Sequence, residues 1–439
     1  MTRSPLMLGH DATAVGDAMH HLAAELYPIC RSITGNGVRE TLRRLQAHIP
    51  LTISEVPSGT QVFDWTVPRE WNITDAYVAN AAGERVIDFR RSNLHVLNYS
   101  IPVRARMSLQ ELRPHMISIP EQPDAIPYRT SYYVERWGFC LAHRQLLALP
   151  EGDYDVCIDS SLAPGHLTYG EYYLVGESED EVLISAHICH PSLANDNLSG
   201  ITLATFLAQE LQKVTRRYSY RFLFIPGTIG SITWLALNEP HLSRIKHGLV
   251  LANVGDAGQM TYKKSRQGNA DIDRAVVNVL RRSGAPYSAR EFLPYGYDER
   301  QFCSPGINLP VGCLSRTPHG EFPEYHTSKD DLTFLQPAAL AGALGCCLGI
   351  VRVLEGNRRY VNQNPKGEPQ LGRRGLYQEF GGSMDARARE MALLWVLNLS
   401  DGQHSLLDIS DRSGVDFDIL RSAVDALLRC DLLKEVAAT

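Results

Sequence analysis

The residues best suited to chemistry in this sequence are His187, which ends a short apolar run, and Asp196, nine residues further on, with His190 between them. That run, Val182–Ala186, has the length of a buried strand and ends directly before His187. Zinc accepts imidazole and carboxylate ligands, and one carboxylate can bridge two ions. The spacing therefore predicts a metal site in the loop after the strand. A lone histidine at a strand end is also commonly hydrogen-bonded structure, so residues elsewhere must decide between the two interpretations.

Three later segments contain further candidate ligands. VLANVGD ends an apolar strand on Asp256, DERQFCSPGINLPV begins with two acidic residues at Asp298, and EYHTSKDDL places His326 in a loop. Each segment alone is a weak signal, and their order along the chain is more informative. The candidate residues occur in the order His187, Asp196, Asp256 and His326.

The elements around these residues alternate between strands and helices. The predicted strands are Glu171–Val175, Val182–Ala186, Arg221–Ile225 and Gly248–Ala252. The predicted helices are Ile201–Val214, Asp271–Ser283 and Gln336–Leu354. Such alternation is typical of an α/β fold with a mainly parallel sheet flanked by helices. In sheets of this kind ligands bind at the carboxyl ends of the strands, which is where His187 would lie.

The composition of the sequence changes between residues 62 and 159. This segment is rich in Pro, Tyr and Trp and contains β-like runs such as Arg85–Asp88 and His95–Tyr99. We predict an inserted β-rich domain there, within a catalytic domain formed by residues 1–61 and 160–356. The aromatic residues of the insert could form its core or line a substrate mouth, and a core position is favoured for each of them. They are Trp65, Trp71, Tyr128, Tyr132, Tyr133 and Trp137.

The C-terminal part is predicted to be a linker, Asn357–Gly375, followed by a small winged-helix-like domain over residues 376–439. Its helices are expected at Ala386–Leu399, within HSLLDISDRSG, and at Asp416–Arg429, before a hydrophobic end. The last of these helices carries three aspartates, and a DNA-reading helix is normally more basic. Packing against the rest of the chain or a partner chain is favoured, nucleic acid is not expected as a partner, and a homo-oligomer remains open.

Composition narrows the class of protein. A net charge of -6 and a pI near 6.2 argue against a nucleic-acid-binding surface. Nine cysteines, odd in number and without CxxC pairs, indicate free thiols in a reducing compartment. The N-terminus lacks the apolar core of a signal peptide, and no uninterrupted apolar run has the ~18 residues that would predict a membrane span. We therefore expect a cytoplasmic protein without a membrane partner.

The ordered motifs resemble those of the two-zinc aminopeptidases, a fold group that also contains glutaminyl cyclases and the transferrin-receptor ectodomain. In that group the metal ligands are a His after a strand, an Asp in a DN-x-SG loop, an Asp after a later strand and a His in an HT-x-x-D loop. The resemblance implies these roles for His187, for Asp196 in DNLSG, for Asp256 in NVGD and for His326 in HTSKDD.

Over nearly its whole length the chain is similar to bacterial proteins with an aminopeptidase-like domain, some of them ascribed to polysaccharide or secondary-metabolite biosynthesis. The shared segments are RSITGNGVRETL, SAHICHPS-like and DERQF…EFPEYHTS-like. This closer resemblance implies the same inserted β-domain and the same C-terminal winged helix.

One departure from the aminopeptidase pattern bears on mechanism. The group carries a Glu-Glu pair, a general base followed by a metal ligand, where this chain has Gly227 and Thr228. One metal would then keep His187, Asp196 and Asp256, and the other only Asp196 and His326. The candidate replacements are Glu299, Glu324 and His190. For Glu299 a salt bridge with a nearby arginine such as Arg300 is an equally good interpretation.

The predicted function is a zinc-dependent hydrolase with one or two ions, cleaving an amide or ester of a small amino-acid-containing or peptide substrate, with Glu299 as surrogate base. The alternative is a retired hydrolase that binds an aminoacyl ligand or a partner protein without chemistry. The absent Glu-Glu pair favours the alternative, and the four ligand motifs favour the enzyme.

Overall fold

The computed structural model of the chain describes residues 11–376 and 384–436, apart from the side chains of 384–386. The chain divides into two compact units. The first combines Met1–Gly268 with Pro286–Gly345, and the second combines Asn269–Ala285 with Cys346–Thr439. Each unit is described separately below.

The strands are numbered in chain order. They are β1 (Thr52–Pro57), β2 (Gln61–Val62), β3 (Trp65–Thr66), β4 (Glu70–Ala79), β5 (Arg85–Asp88), β6 (Val103–Ser108), β7 (Met116–Ile117), β8 (Phe139–Cys140), β9 (Asp153–Ala163), β10 (His166–Leu174), β11 (Glu181–His187), β12 (Ser219–Ile225), β13 (Ile245–Leu251), β14 (Met260–Lys263), β15 (Tyr287–Arg290), β16 (Val311–Ser315), β17 (Arg359–Asn362), β18 (Asp401–Ser405) and β19 (Leu433–Glu435).

The α-helices are numbered in the same way. They are α1 (Ala12–Leu26), α2 (Asn36–Gln46), α3 (Leu109–Leu112), α4 (His143–Leu147), α5 (Gly200–Gln212), α6 (Ile229–Asn238), α7 (Asp271–Arg282), α8 (Glu299–Phe302), α9 (Pro337–Gly356), α10 (Met384–Leu399), α11 (Leu406–Ser413) and α12 (Phe417–Arg429).

An eight-stranded sheet forms the centre of the first unit, in the order β1-β10-β12-β11-β13-β16-β14-β15. Its four central strands, β12, β11, β13 and β16, are parallel to one another. Antiparallel pairing joins β1 to β10, β10 to β12 and β14 to β16. Every residue of β11 is buried, as expected for a central parallel strand with both faces covered. The predicted α/β class, with a mainly parallel sheet flanked by helices, is confirmed.

The predicted elements of the sheet are all present with shifted ends. The run Val182–Ala186 lies inside β11, and the helix predicted for Ile201–Val214 is α5, Gly200–Gln212. The prediction of a strand at His95–Tyr99 is wrong. A single helical turn covers Asn93–His95 there, and the segment beyond it makes only isolated bridges, Val96 with Phe139 and Asn98 with Thr130.

The β-rich segment predicted for residues 62–159 contains a four-stranded sheet in the order β5-β4-β9-β6. One face of this sheet packs on a local apolar cluster that includes Ala76, Ile87, Leu109 and Phe139. The longest ladder pairs β4 with β9, so the two ends of the segment lie side by side. The assignment of this segment as an inserted domain remains a prediction.

In the second unit, helices α10, α11 and α12 accompany a three-stranded sheet in the order β18-β17-β19. Three helices with a small antiparallel sheet form the predicted winged-helix arrangement. The first of its strands in chain order, β17, lies at Arg359–Asn362, inside the segment predicted to be a linker. The strand was not predicted because it has only four residues and lies in a polar stretch of the sequence. Residues 377–383 and 437–439 of the predicted domain lie outside the described part.

Helix α9 has the length and apolar composition of a membrane span, with a mean hydropathy of 1.8 over its best window. Of that window 61% is buried inside the protein, and no other described helix meets the same criteria. A helix buried in a protein core meets the same criteria of length and composition.

Candidate metal centre

The candidate centre lies at the carboxyl end of the central parallel strands. His187 is the last residue of β11, and the turn Ala194–Ser199 leads from the following loop into α5. That helix can begin here only because residue 200 is glycine. A Cβ on Gly200 would lie 2.3 Å from the Leu251 carbonyl oxygen at the end of β13. The polar turn Ala194–Ser199 therefore packs closely against the end of the sheet, and all its residues are buried.

Asp196 is the hub of the centre. Its Oδ1 lies 2.9 Å from His187 Nε2, and its Oδ2 lies 3.0 Å from His326 Nε2. Burial alone would raise the pKa of Asp196, but the neighbouring histidines His190, His187 and His326 outweigh it and hold the pKa well below its ordinary value. The aspartate is therefore an anion surrounded by imidazoles, as a metal ligand must be.

His190 completes the group. Its Nδ1 lies 3.7 Å from Asp196 Oδ1, and this buried nitrogen has no hydrogen-bond partner among the described residues. Burial lowers the pKa of His190 well below its ordinary value, so its imidazole is neutral and has a lone pair to donate. One ligand atom from each of His187, His190 and Asp196 lies within 4.8 Å of the others. An orphaned nitrogen facing an anion fits a bound cation, and these three residues can hold a metal ion.

A second layer of hydrogen bonds holds the loop in this shape. The carboxylate of Asp330 accepts from the backbone N–H of Asn195 at 2.6 Å and of Asp196 at 2.9 Å. Three residues around the centre, Thr228, Asn253 and His326, adopt the left-handed φ that is rare outside glycine. Strained backbone of this kind clusters at functional sites.

The structure does not bring Asp256 to the centre. Both its carboxylate oxygens are used elsewhere: Oδ1 accepts from Gly258 N at 2.6 Å and from Thr317 Oγ1 at 2.7 Å, and Oδ2 accepts from Asn195 Nδ2 at 2.9 Å. Asp256 therefore supports the loop in this structure, and its predicted role as a metal ligand beside His187 and Asp196 stays a prediction.

After β13, the residue that faces the centre is Asn253, three residues before Asp256. Its Nδ2 donates to the hydroxyl of Tyr297 at 2.8 Å, and that hydroxyl donates to Asp196 Oδ1 at 3.2 Å. Asn253 Oδ1 is buried and has no partner among the described residues. The Tyr297 ring also stacks on His187, with centroids 4.8 Å apart. The side chain after β13 that contacts the centre is thus a neutral amide, and the carboxylate implied by the resemblance, Asp256, lies three residues further on.

A pocket of about 240 Å³ borders the centre. Its lining combines the centre's histidines with aromatic and small residues: Ile33, Tyr132, Tyr133, His187, Cys189, His190, Gly227, Thr228, Gly296, Tyr297, Asp298 and Tyr325. Burial raises the pKa of the Cys189 thiol to about 12, so the thiol stays protonated and is no nucleophile. Gly227 lies beside it, with its N–H 3.3 Å from Cys189 Sγ.

The aromatic residues of the β-rich segment divide between core and pocket. Trp71 is buried and donates to the Ser100 carbonyl, as a core residue would. Tyr132 and Tyr133 line the pocket, and buried Tyr128 presents its ring edge-on to His190 and His326. The remaining two, Trp65 and Trp137, do not border the pocket.

The proposed surrogate base, Glu299, is not among the pocket residues. Its buried carboxylate forms an ion pair with Lys263 and accepts from Tyr297 N at 3.2 Å, so the salt-bridge interpretation holds with Lys263 in place of Arg300. The adjacent Asp298 borders the pocket instead, and burial raises its pKa. Glu324 is absent from the convergent ligand group of the described residues.

Comparisons with known proteins agree with this fold. A family profile described as a domain of unknown function matches residues 20–357, and a winged helix-turn-helix profile matches residues 358–435. A Clostridium acetobutylicum protein named as a candidate polysaccharide biosynthesis protein with an aminopeptidase-like domain is 54% identical over 426 residues, covering 97% of this chain and 98% of its own.

Solved structures show the same likeness. A crystal structure of a candidate peptidase from Clostridium acetobutylicum superimposes with a TM-score of 0.92 at 53% identity, covering 97% of both chains. A zinc aminopeptidase from Bacillus subtilis reaches 0.57 at 13% identity, covering 79% of this chain and 96% of that one. A peptidase M28 precursor from Shewanella amazonensis reaches 0.51 at 13%, with coverages of 79% and 97%. The last two establish the fold alone, which is that of peptidase-like hydrolases.

These matches confirm the resemblance seen in the motifs: the chain belongs to the family of proteins with an aminopeptidase-like domain, which is followed here by a winged helix.

Proposed function

We propose that the protein is a metal-dependent hydrolase that cleaves an amide or ester bond in a small amino-acid-containing substrate. The observation that carries the proposal is the convergence of His187, His190 and Asp196 beside a pocket. The fold supports it, since a zinc aminopeptidase and an M28 peptidase share it. Zinc is the metal we propose, because neutral imidazole and carboxylate are among its usual ligands.

We propose one ion rather than two. His187, His190 and Asp196 would hold it, and His326 is close enough to Asp196 to serve as a fourth ligand or as a donor to the substrate. A bound ion would supply a water of lowered pKa and polarise the scissile carbonyl. Asn253 supports the single-ion proposal, because a neutral amide in place of a carboxylate weakens a second site.

The pocket limits the substrate. Drug-sized ligands occupy cavities of ~300–1,000 Å³, and this one is smaller. Tyr132, Tyr133 and Tyr325 offer ring faces and hydroxyls, which suit a compact organic group such as a single aminoacyl residue. The name of the relative at 54% identity adds amino-acid-substituted sugars to the substrates worth testing.

The test begins with the metal. The purified protein is stripped with a chelator, reloaded with zinc, and assayed on a panel of aminoacyl amides, aminoacyl esters and N-acyl amino sugars. We expect hydrolysis of part of the panel, its loss on stripping and its return on reloading. Loss of activity without its return on reloading any divalent metal, at unchanged circular dichroism, would count against the proposal.

Two matched variants locate the ion. Asp196→Asn should lose zinc on dialysis against a weak chelator, because a neutral amide replaces the anion that both histidines contact. Asp256→Asn should keep it, because that carboxylate only supports the loop. Equal zinc loss in both variants would return Asp256 to the ligand set.

A second candidate function is a binding module without chemistry. It is favoured by Gly227 and Thr228, which stand where the resemblance implied two glutamates. Such a module would bind an aminoacyl ligand or a partner protein with or without metal, and no member of the panel would turn over.

We further propose that the winged helix does not read DNA. At the start of α12, Asp416 and Asp418 form ion pairs with Arg282 of α7, and Asp418 also pairs with Arg352 of α9 at 2.6 Å. These contacts lie within the second unit and occupy the end of the helix that would meet base edges. The cytoplasmic location is proposed from the nine cysteines, none of which forms a disulfide bond in the described part of the chain. A homo-oligomer remains a prediction.

A further inference from the structure

Asp298 is the single acidic side chain among the described residues that line the pocket. It directly precedes α8, in the turn that also carries Tyr297. The other acid of the centre, Asp196, is already engaged by His187 and His326. Of the carboxylates near the reacting space, Asp298 is therefore the one left for chemistry.

One oxygen of Asp298 is held by hydrogen bonds, and the other is left without a partner. Oδ1 accepts from Thr228 N at 2.7 Å and from Ser231 Oγ at 3.0 Å. Oδ2 is buried and has no hydrogen-bond partner among the described residues. No described lysine or arginine forms an ion pair with this carboxylate. A buried acid without a cation is costly to keep for structure alone, and a fixed, half-satisfied carboxylate is preorganised for proton transfer.

The neighbouring Glu299 provides a contrast within one turn. Both acids have one oxygen without a partner among the described residues. Only Glu299 has a counter-ion, Lys263, and only Asp298 borders the pocket. The two side chains therefore have separate tasks, Glu299 in the packing of α8 and Asp298 at the pocket.

The backbone at residues 227 and 228 explains how Asp298 reaches this place. Gly227 contributes no side chain, and Thr228 uses its N–H to hold the aspartate. A Cβ on Gly227 would meet Cys189 Sγ at 3.6 Å and His187 Cβ at 3.7 Å, which are ordinary contacts. The space beside His187 is thus open at Gly227, and the carboxylate facing it comes from another loop.

We propose that Asp298 is the general base of the reaction, an inference that rests on the proposed hydrolase function. As the oxygen of a water bonds to the substrate carbonyl carbon, one proton of that water passes to Asp298 Oδ2. The carbon–nitrogen bond then breaks, and the nitrogen keeps the electron pair. That nitrogen receives the proton from Asp298, so the products are a carboxylic acid and an amine, with an alcohol in its place for an ester.

The first test is Asp298→Asn, which keeps the acceptor oxygen for Thr228 and Ser231 and removes only the basicity. We expect kcat to fall by about 10²–10⁴-fold at unchanged zinc content, because a positioned base is typically worth that factor. Asp273→Asn, a buried aspartate that caps α7 through its bond to Ala270 N, is the matched control. Glu299→Gln should cost less than Asp298→Asn, and the reverse ranking would overturn the inference.

The second test separates a chemical role from a structural one. Asp298→Gly leaves a hole beside Gly227, and added formate should restore part of the lost rate in a saturable manner while acting on neither the parent nor the control. A purely structural aspartate would show no such rescue. If the metal-loaded parent hydrolyses no member of the panel, the proposed function fails and this inference with it. If the parent is active and Asp298→Asn is equally fast, only the inference fails.

Discussion

The side-chain amide of Asn253 donates a 2.8 Å hydrogen bond to the Tyr297 hydroxyl, and this bond ties the end of β13 to the pocket wall. A carboxylate at the same position would face the anionic Asp196 across that hydroxyl. Two buried like charges repel each other unless a cation lies between them. Because Asn253 is neutral, the centre does not need a bound metal ion to offset such a repulsion.

Asn253→Asp should therefore make the protein more dependent on metal. Without metal we expect a lower Tm than that of the parent, since a second buried anion is uncompensated. With zinc we expect about tenfold tighter binding, or about 1.4 kcal/mol. Calorimetric titration and thermal melts with and without zinc measure both effects. Asn278→Asp, a buried asparagine bonded to Ser410 in α11, is the control and should lower Tm equally in both states.

His190→Gln should weaken zinc binding strongly. Its orphaned Nδ1 is one of three convergent ligand atoms, and loss of an outer-shell partner alone costs about 10–100-fold in affinity, so loss of a ligand should cost more. His95→Gln is the control, because that buried histidine bonds to the Cys140 carbonyl. Competition with a chromophoric chelator gives the Kd. An unchanged Kd for His190→Gln would remove His190 from the site.

Gly227→Glu should fold, since its Cβ meets only ordinary contacts at 3.6 and 3.7 Å. In the Asp298→Asn background it offers a carboxylate to the same space from the other side. We expect the double variant to recover at least ~10-fold of the rate lost by Asp298→Asn, a part of what a base contributes. Gly227→Gln in that background supplies the same bulk without basicity and should recover nothing. Equal rates for the Glu and Gln versions would contradict the prediction.

The pair of Arg39 and Glu70 should give the first unit an acid-sensitive contribution to stability. Arg39 donates to both oxygens of Glu70 at 2.7 Å, and chiefly this bond lowers the pKa of Glu70 from 4.5 to about 2. A lowered carboxyl pKa stabilises the fold above the unfolded value, and the contribution is lost as pH falls from 4.5 towards 2. After allowance for solvent screening we expect about 1 kcal/mol.

Glu70→Gln tests this contribution by urea unfolding at pH 7 and pH 3. The variant should be less stable at pH 7 and should differ less from the parent at pH 3. Glu40→Gln removes an exposed charge of α2 and serves as the control. A constant difference between parent and variant at both pH values would disagree with the linkage.

We expect that the winged helix does not bind duplex DNA at physiological salt. Its α12 begins with aspartates already paired to Arg282, and the whole chain has a formal charge of -6. Fluorescence anisotropy with random-sequence and genomic DNA over a range of salt concentrations measures this. A Kd that falls steeply as salt is lowered would indicate phosphate contacts and a nucleic-acid role.

Much of the fold followed from the sequence alone. The apolar run before His187 predicted β11, because a strand buried on both faces is apolar at successive positions. The helical spacing of apolar residues after Ser199 predicted α5. His187, Asp196 and His326 were also predictable, since each lies in a short motif next to such an element. The strand β17 was not predicted because it is only four residues long and lies in a polar stretch.

Only the tertiary structure decided which of several neighbouring polar residues face the centre. After β13 the backbone turns through a left-handed residue, so Asn253 points to Tyr297 while Asp256, three residues on, is held by Thr317. At the start of α8, the side chains of the successive acids Asp298 and Glu299 have different surroundings. Glu299 forms an ion pair with Lys263, and Asp298 lines the pocket. The composition and spacing of the sequence would be the same whether Asn253 or Asp256 faced the centre, and whether Asp298 or Glu299 lined the pocket. The outcome depends on partners from distant segments and on turns of one or two residues, which local sequence does not encode.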